Sequence, residues 1–226
     1  METGRLPSDG VRRMFDRIAP VYDAMNRVMT AGLDQRWRAV TVRETVRAGD
    51  RVLDACCGTG DLAVAARDAG AGSVVGLDFS AAMLERARRK APDITFIEGD
   101  VLALPLKDAS FDVAVVGFGI RNVADLDAGV RELRRVLRPG GRLGILAITT
   151  PRGVLAPFYR LWFDRIVPLL GRVLPGGEAY TYLPASVRRF PPPEELASLL
   201  AANGFARVRF KLFAGGIVAL HVGEAE

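Results

Sequence analysis

The chain has 226 residues, half of them hydrophobic, which suits a single domain with a full sheet covered by helices on both faces. Of its 31 basic residues only Lys90, Lys107 and Lys211 are lysine, and the net charge is +5; with no basic run interleaved with aromatics, nucleic acid is excluded as an expected partner. Two adjacent cysteines, Cys56 and Cys57, and one histidine, His221, give neither disulfide geometry nor metal-ligand spacing, so no metal is expected.

Residues 11–47 read as helices: one before Pro20, one from Pro20 to about Thr30, one from Leu33 to Val46. They carry Phe15, Tyr22, Met25, Met29 and Trp37 among charged neighbours, an unusual opening for a sheet protein. "RVLDACC" (51–57) reads as a strand entering a Gly-rich turn, "DLAVAARDAG" (61–70) as a helix stopped by glycine, and "SVVGLD" (73–78) as a second strand. "SAAMLERARRKA" (80–91) is a helix capped by Ser80, followed by strands at 94–100 and 110–118. Leu126, Val130, Leu133 and Leu137 recur at helical spacing until "RPGG" (138–141) turns the chain into a fifth strand, 142–148.

Five strands alternating with helices predict a doubly wound, mostly parallel α/β sheet. The apolar stretch 154–174, interrupted by Pro168, reads as two short helices. One more helix in 191–205 precedes "ARVRFKLF" and "GIVALHVG", an antiparallel hairpin joined at Gly215–Gly216 that brings the sheet to seven strands. The expected organisation of 1–226 is therefore a helical cap (1–48), a cofactor-binding core (49–150), an apolar helical insertion (151–190), and a closing helix with hairpin (191–226). No apolar run reaches the length of a membrane span and no secretion signal is visible in "METGRLPSDGVRRMF", so a cytoplasmic protein is expected.

"LDACCGTGDLA" (53–63) is the chemical signal. A strand that delivers a Gly-rich turn to a helix N-terminus lets backbone N–H groups approach a ligand, and Gly58 and Gly60 fit that role. Gly58-x-Gly60-x-x-Ala63 also satisfies a nicotinamide fingerprint, and Asp78, ending the second strand, suits ribose hydroxyls in either case. Asp54 separates the two readings: beside a pyrophosphate a carboxylate repels, whereas S-adenosylmethionine brings a sulfonium and an ammonium. Asp100, after the third strand, can accept from an adenine amino group.

"FDRIAPVYDAMNRVMTAGLDQRWR", "VLDACCGTGDLA", "DVLALPLKDASFDVAVVGFGIRNVADLDAGVRELRRVLRPGG" and "GGIVALHVG" together resemble the demethylmenaquinol/ubiquinol C-methyltransferase family, over essentially the whole chain. The resemblance implies a Rossmann-like class I methyltransferase that uses S-adenosylmethionine to methylate the ring of a polyprenyl quinol, demethylmenaquinol above all. It implies cofactor contacts from Thr59, Asp78, Asp100 and Val101; Phe79 and Gly117 complete the expected set, Gly117 standing where the family often has Ser. "AITTP" (147–151) and Thr181 also depart from the family pattern. The ubiquinone pathway or another small-molecule methyltransferase is the alternative, with a nicotinamide oxidoreductase or a non-catalytic cofactor-binding module further off.

On this reading the N-terminal helices and the 154–174 segment wall in a greasy acceptor. Carbon methylation needs a hydroxyl proton removed from a phenol with a pKa of about 10. Arg121 suits stabilisation of the phenolate, and the resemblance places Asn122 and Tyr22 against the reacting ring, with Asp23 beside them. His221, in a late strand, reads as structural. Reversible contact of segments 11–32 and 154–174 with anionic bilayers is expected, since the acceptor's tail resides there, and a homodimer is left open.

Overall fold

The computed structural model describes residues 8–151 and 177–226. Three helices come first, α1 (Ser8–Ile18), α2 (Tyr22–Thr30) and α3 (Leu33–Thr45). Then β1 (Arg51–Ala55), α4 (Asp61–Asp68), β2 (Ser73–Asp78), α5 (Ala81–Lys90), β3 (Thr95–Glu98) and β4 (Phe111–Gly117) alternate. A 3-10 turn (Ile120–Asn122) leads to α6 (Leu126–Val136) and β5 (Leu137–Ile148). The described remainder is α7 (Gly177–Arg189), α8 (Pro193–Ala202), β6 (Phe205–Phe213), a one-turn 3-10 segment (Ala214–Gly216) and β7 (Val218–Ala225). The helices expected in 154–174 lie outside the described residues.

The sheet runs β3-β2-β1-β4-β5-β7-β6, parallel through β5 and antiparallel at β7 and β6. Strand order reverses between β1 and β4, and the crevice above such a switch point is where open α/β sheets bind ligands. β4 is buried at every position but its last, as a central strand covered on both faces must be. On one face β1, β4 and β5 pack against α6 and α8 through Leu133, Val136, Leu196 and Leu200; on the other, α3, α4 and α5 supply Val42, Leu62, Ala66 and Leu84. Ser80 caps α5 by accepting from the Met83 amide, and Asp125 caps α6 by accepting from Ala128.

Two boundaries differ from the sequence reading. β5 begins at Leu137 rather than 142: Leu137 pairs with Phe111, the register then shifts, and Val113 pairs with Arg142. "RPGG" is an irregularity carried inside the strand, with Gly140 at φ +73. β3 stops at Glu98, so Asp100 stands in the following loop instead of on the strand end.

Of the three N-terminal helices only α3 packs into the core of the sheet; α1 and α2 lie outside it. Val11, Met14 and Ile18 of α1 pack with Met83 and Tyr182, while Trp37 of α3 packs with Leu146, Val218 and Leu220. α1, α2 and the first turns of α3 form a roof over the carboxyl ends of the strands.

Candidate active site

Under that roof, the loop after β1 has left-handed backbone at Cys56 (φ 56), Gly58 (φ 55) and Gly60 (φ 81). These turns bring the Gly58 amide to Asp78, donating to Oδ2 at 2.8 Å; the Ser80 amide donates to Oδ1 at 3.0 Å. Both oxygens of Asp78 retain lone pairs, and the residue lines a cavity together with Gly58, Phe79, Asp100, Val101 and Gly117. Burial raises the Asp78 pKa to about 6 against the opposing pull of the Ser80, Gly58 and Phe79 amides, so it is mainly ionised at neutral pH. Asp100 accepts from the Leu102 amide at 2.9 Å, which fixes its carboxylate on the far rim.

Three expected cofactor residues are not on this wall. Gly60 faces β3: a Cβ there would sit 3.0 Å from the Phe96 ring. Thr59 is buried, its hydroxyl donated to Asp23 at 2.5 Å, which also removes Asp23 from the expected set around the reacting ring. Asp54 lies beneath the cavity, fully buried, with no hydrogen-bond partner on either oxygen among the described residues. Burial lifts its pKa to about 7, with Arg38 the main opposing influence. Asp54 is not among the residues that line the cavity.

Asp23 belongs to a clamp that the sequence concealed. Lys90 reaches Asp23 at 2.7 Å and Asp61 at 2.6 Å, and the Gln35 amide bridges Asp61 (3.0 Å) to Asp34 (3.1 Å). Burial works against ionisation of Asp61, but Lys90, Arg38 and Gln35 together hold its pKa below the usual carboxylate value. The roof helices α2 and α3 are thus tied by charge to α4 and α5, around the glycine loop.

Beside the first cavity lies a second, of about 500 Å3, lined by Met14, Ile18, Met25, Met29, Leu33, Trp37, Ile148 and Ile217. Phe15, Tyr22 and Phe118 line both. The 3-10 turn after β4 divides between them, Arg121 lining the second cavity and Asn122 the first. Arg121 donates to the Phe118 carbonyl, and Phe118 is held at φ 64 between the Trp37 ring at 6.5 Å and the Arg38 guanidinium at 5.2 Å. The three expected catalytic residues, Tyr22, Arg121 and Asn122, therefore meet at the boundary of the two spaces. His221 lines neither; it is buried with Nε2 2.9 Å from the Pro193 carbonyl, and burial lowers its pKa.

Gly117 is explained by its neighbour: a Cβ at this position would lie 2.9 Å from Arg38 Nη1. Arg38, Asp34 and Tyr182 are polar residues of the second cavity that sequence reasoning missed. Burial raises the Tyr182 pKa, with Arg121 and Arg189 opposing, so its phenol is neutral. Asp34 and Arg38 stand one helical turn apart beside Trp37, a pattern that reads as a solvated face until the roof is seen from below.

The ubiE/COQ5 methyltransferase family model matches residues 4–225. A demethylmenaquinone methyltransferase of Thermus thermophilus is 45% identical over 93% of this chain and 99% of its own length. One from Deinococcus radiodurans is 44% identical over 95% of this chain and 92% of its own. A ubiquinone/menaquinone biosynthesis C-methyltransferase of Syntrophotalea carbinolica is 41% identical, with 96% and 94% covered. Among solved structures, an S-adenosylmethionine-dependent methyltransferase of Thermotoga maritima superposes with a TM-score of 0.67 at 20% identity, covering 94% of this chain and all of that one. One from Mesorhizobium loti gives 0.60 at 21% identity, covering 81% and 95%. At such identities the structures speak for the fold alone.

Proposed function

Because this chain belongs to the ubiE/COQ5 methyltransferase family, we propose that it methylates a ring carbon of a polyprenyl quinol, demethylmenaquinol foremost, in menaquinone biosynthesis. It is an S-adenosylmethionine-dependent C-methyltransferase. The observation that carries the substrate class is the pair of adjoining cavities, one edged by carboxylates and one apolar, that share Phe15, Tyr22 and Phe118.

The first cavity fits the donor. Asp78 keeps acceptor capacity for the ribose hydroxyls, Asp100 for the adenine amino group, and Phe79 and Val101 offer apolar flanks. Asp54, with a pKa of about 7, is about half ionised at neutral pH; a cationic ligand above it favours the ionised form, which a pyrophosphate would oppose. When bound, S-adenosylmethionine supplies a methyl group made electrophilic by its positive sulfur.

The second cavity fits a flat ring with a hydrocarbon tail. Arg121, at the boundary, lowers the pKa of the acceptor hydroxyl and stabilises the phenolate by charge. Tyr22 and Asn122 orient the ring there, and the methionine-rich roof conforms to the tail while excluding water. Leu33 lines this cavity and is 37% exposed, and we place the tail's exit at this apolar rim. Contact with anionic bilayers follows from that rim and the +5 charge; co-sedimentation with anionic vesicles should fall as salt rises, and no binding at low salt would refute it. No described helix is long and apolar enough to cross a membrane.

The function is tested in a menaquinone-producing bacterium lacking its own demethylmenaquinone methyltransferase. Expression of this chain should convert accumulated demethylmenaquinone to menaquinone. An unchanged quinone profile with soluble, cofactor-binding protein present would reject the acceptor.

A further inference from the structure

Attack by the ring carbon needs the acceptor hydroxyl to give up its proton for the methyl-transfer step, and Arg121 cannot accept it, because an arginine stays protonated in proteins. The single histidine lines neither cavity. Among the acidic residues, Asp78 and Asp100 face the donor, Asp54 lines neither cavity, and Asp23 and Asp61 are engaged by Lys90. Asp34 is different. It lines the acceptor cavity while only 2% exposed, so its charge is directed inward.

The groups around Asp34 hold it in one orientation without exhausting it. Thr30 Oγ1 lies 3.0 Å from Oδ1, and the Gln35 amide donates to Oδ2 at 3.1 Å. A carboxylate has about four lone-pair directions, so acceptor capacity remains. Arg38, 6% exposed and lining the same cavity, balances the charge at 3.8 Å without forming a close pair. Arg38 Nε has no hydrogen-bond partner among the described residues. A buried donor and a buried acceptor, both incompletely satisfied and both on the wall of one cavity, are complementary to a hydroxyl placed between them.

We propose that Asp34 takes the proton of the acceptor hydroxyl, with Arg38 beside it holding the oxygen that is left; this rests on the quinol reading of the cavity. The acceptor O–H bond breaks, an O–H bond forms on the Asp34 carboxylate, and the electron pair on oxygen delocalises to the ring carbon that is methylated. When that carbon releases its own hydrogen to water, Asp34 returns its proton to the ring oxygen. One proton leaves per methyl gained, and no oxidant or reductant is consumed. The positive charges of Arg38 and Arg121 reduce the gap between a carboxylate base and a phenolic acid. The other charged or titratable groups near Asp34 are Asp61, through the shared Gln35 amide, and Tyr22 and Tyr182 elsewhere on the cavity lining.

The test uses the full chain with reduced, prenylated acceptor under anaerobic conditions, and compares Asp34→Asn with the parent. Turnover should fall about a hundred- to ten-thousandfold, the range of general-base catalysis, while the dissociation constant for S-adenosylmethionine stays within threefold. An acceptor bearing an electron-withdrawing ring substituent, ionised before it binds, needs no base; with it the two proteins should differ by less than fivefold. Equal deficits on both acceptors would overturn the proposal, as would near-parental turnover on the ordinary quinol. Should Asp34→Asn fail to fold, Asp34→Glu decides, with S-adenosylmethionine saturating at every pH so that Asp78 does not shape the profile: the acid limb of the parent with the ordinary quinol must move in the variant and be absent from both proteins with the pre-ionised acceptor, and an unmoved limb rejects Asp34. A parent that methylates no quinol at all would instead reject the acceptor assignment.

Discussion

With the ribose placed at Asp78, donor binding should depend on pH in a direction opposite to this residue's effect on stability. Burial holds its pKa near 6, about two units above an unfolded aspartate. The folded chain therefore binds more protons than the unfolded chain between about pH 4 and 6, so this group's contribution to stability declines as pH rises through that window and is constant above it. Ribose hydroxyls need the ionised form, so affinity moves the other way. About nine-tenths of Asp78 is ionised at pH 7 and about one-tenth at pH 5, so the dissociation constant should weaken roughly tenfold between them. Asp78→Asn removes that dependence and a charged acceptor worth about 1.5–3 kcal/mol, roughly ten- to a hundredfold in affinity at pH 7. Asparagine is no isostere here: both carboxylate oxygens accept backbone amides, so its NH2 must face a donor from Gly58 or Ser80. Calorimetric titration of both proteins from pH 8 to 5 is the assay. A parent affinity flat over that range, or Asp78→Asn binding like the parent at pH 7, would refute the placement of the ribose at Asp78.

Arg121→Ala should lower turnover about a hundred- to a thousandfold with donor affinity nearly intact, since the lost interaction develops in the transition state; steady-state kinetics with calorimetry on one preparation checks this. Lys90→Met leaves Asp23 and Asp61 without their shared cation and should cost about 1–3 kcal/mol in thermal or urea unfolding, with the acceptor KM raised as the roof loosens. Gly117→Ser must displace the Arg38 guanidinium; its melting temperature should fall and acceptor turnover should drop more than donor affinity.

The sheet was legible because alternation of apolar strand-length runs with capped helices leaves few other topologies. The place of Asp78 was legible because it ends a parallel strand, and that of Asp100 only approximately, since β3 stops two residues before it; both line the cavity at the carboxyl edge of the sheet. What escaped was tertiary. Thr59 looks like a ligand contact until Asp23, on a helix before the sheet begins, takes its hydroxyl. Asp34 and Arg38 sit on a helix whose charges suggest solvent, but α3 roofs a cavity and points them inward. Asp54 stands at the end of β1, and a strand end cannot reveal whether its side chain reaches the wall of the cavity. "RPGG" signals a turn, and only the pairing of Leu137 with Phe111 makes it an irregularity within β5.

The most direct measurement is a single turnover with methyl-labelled S-adenosylmethionine and reduced demethylmenaquinone under anaerobic conditions, followed by NMR of the extracted quinone. The account predicts one labelled methyl per turnover, bonded to the vacant ring carbon and absent when the acceptor is supplied oxidised. Label on a ring oxygen, or no transfer from a donor that binds normally, would contradict it.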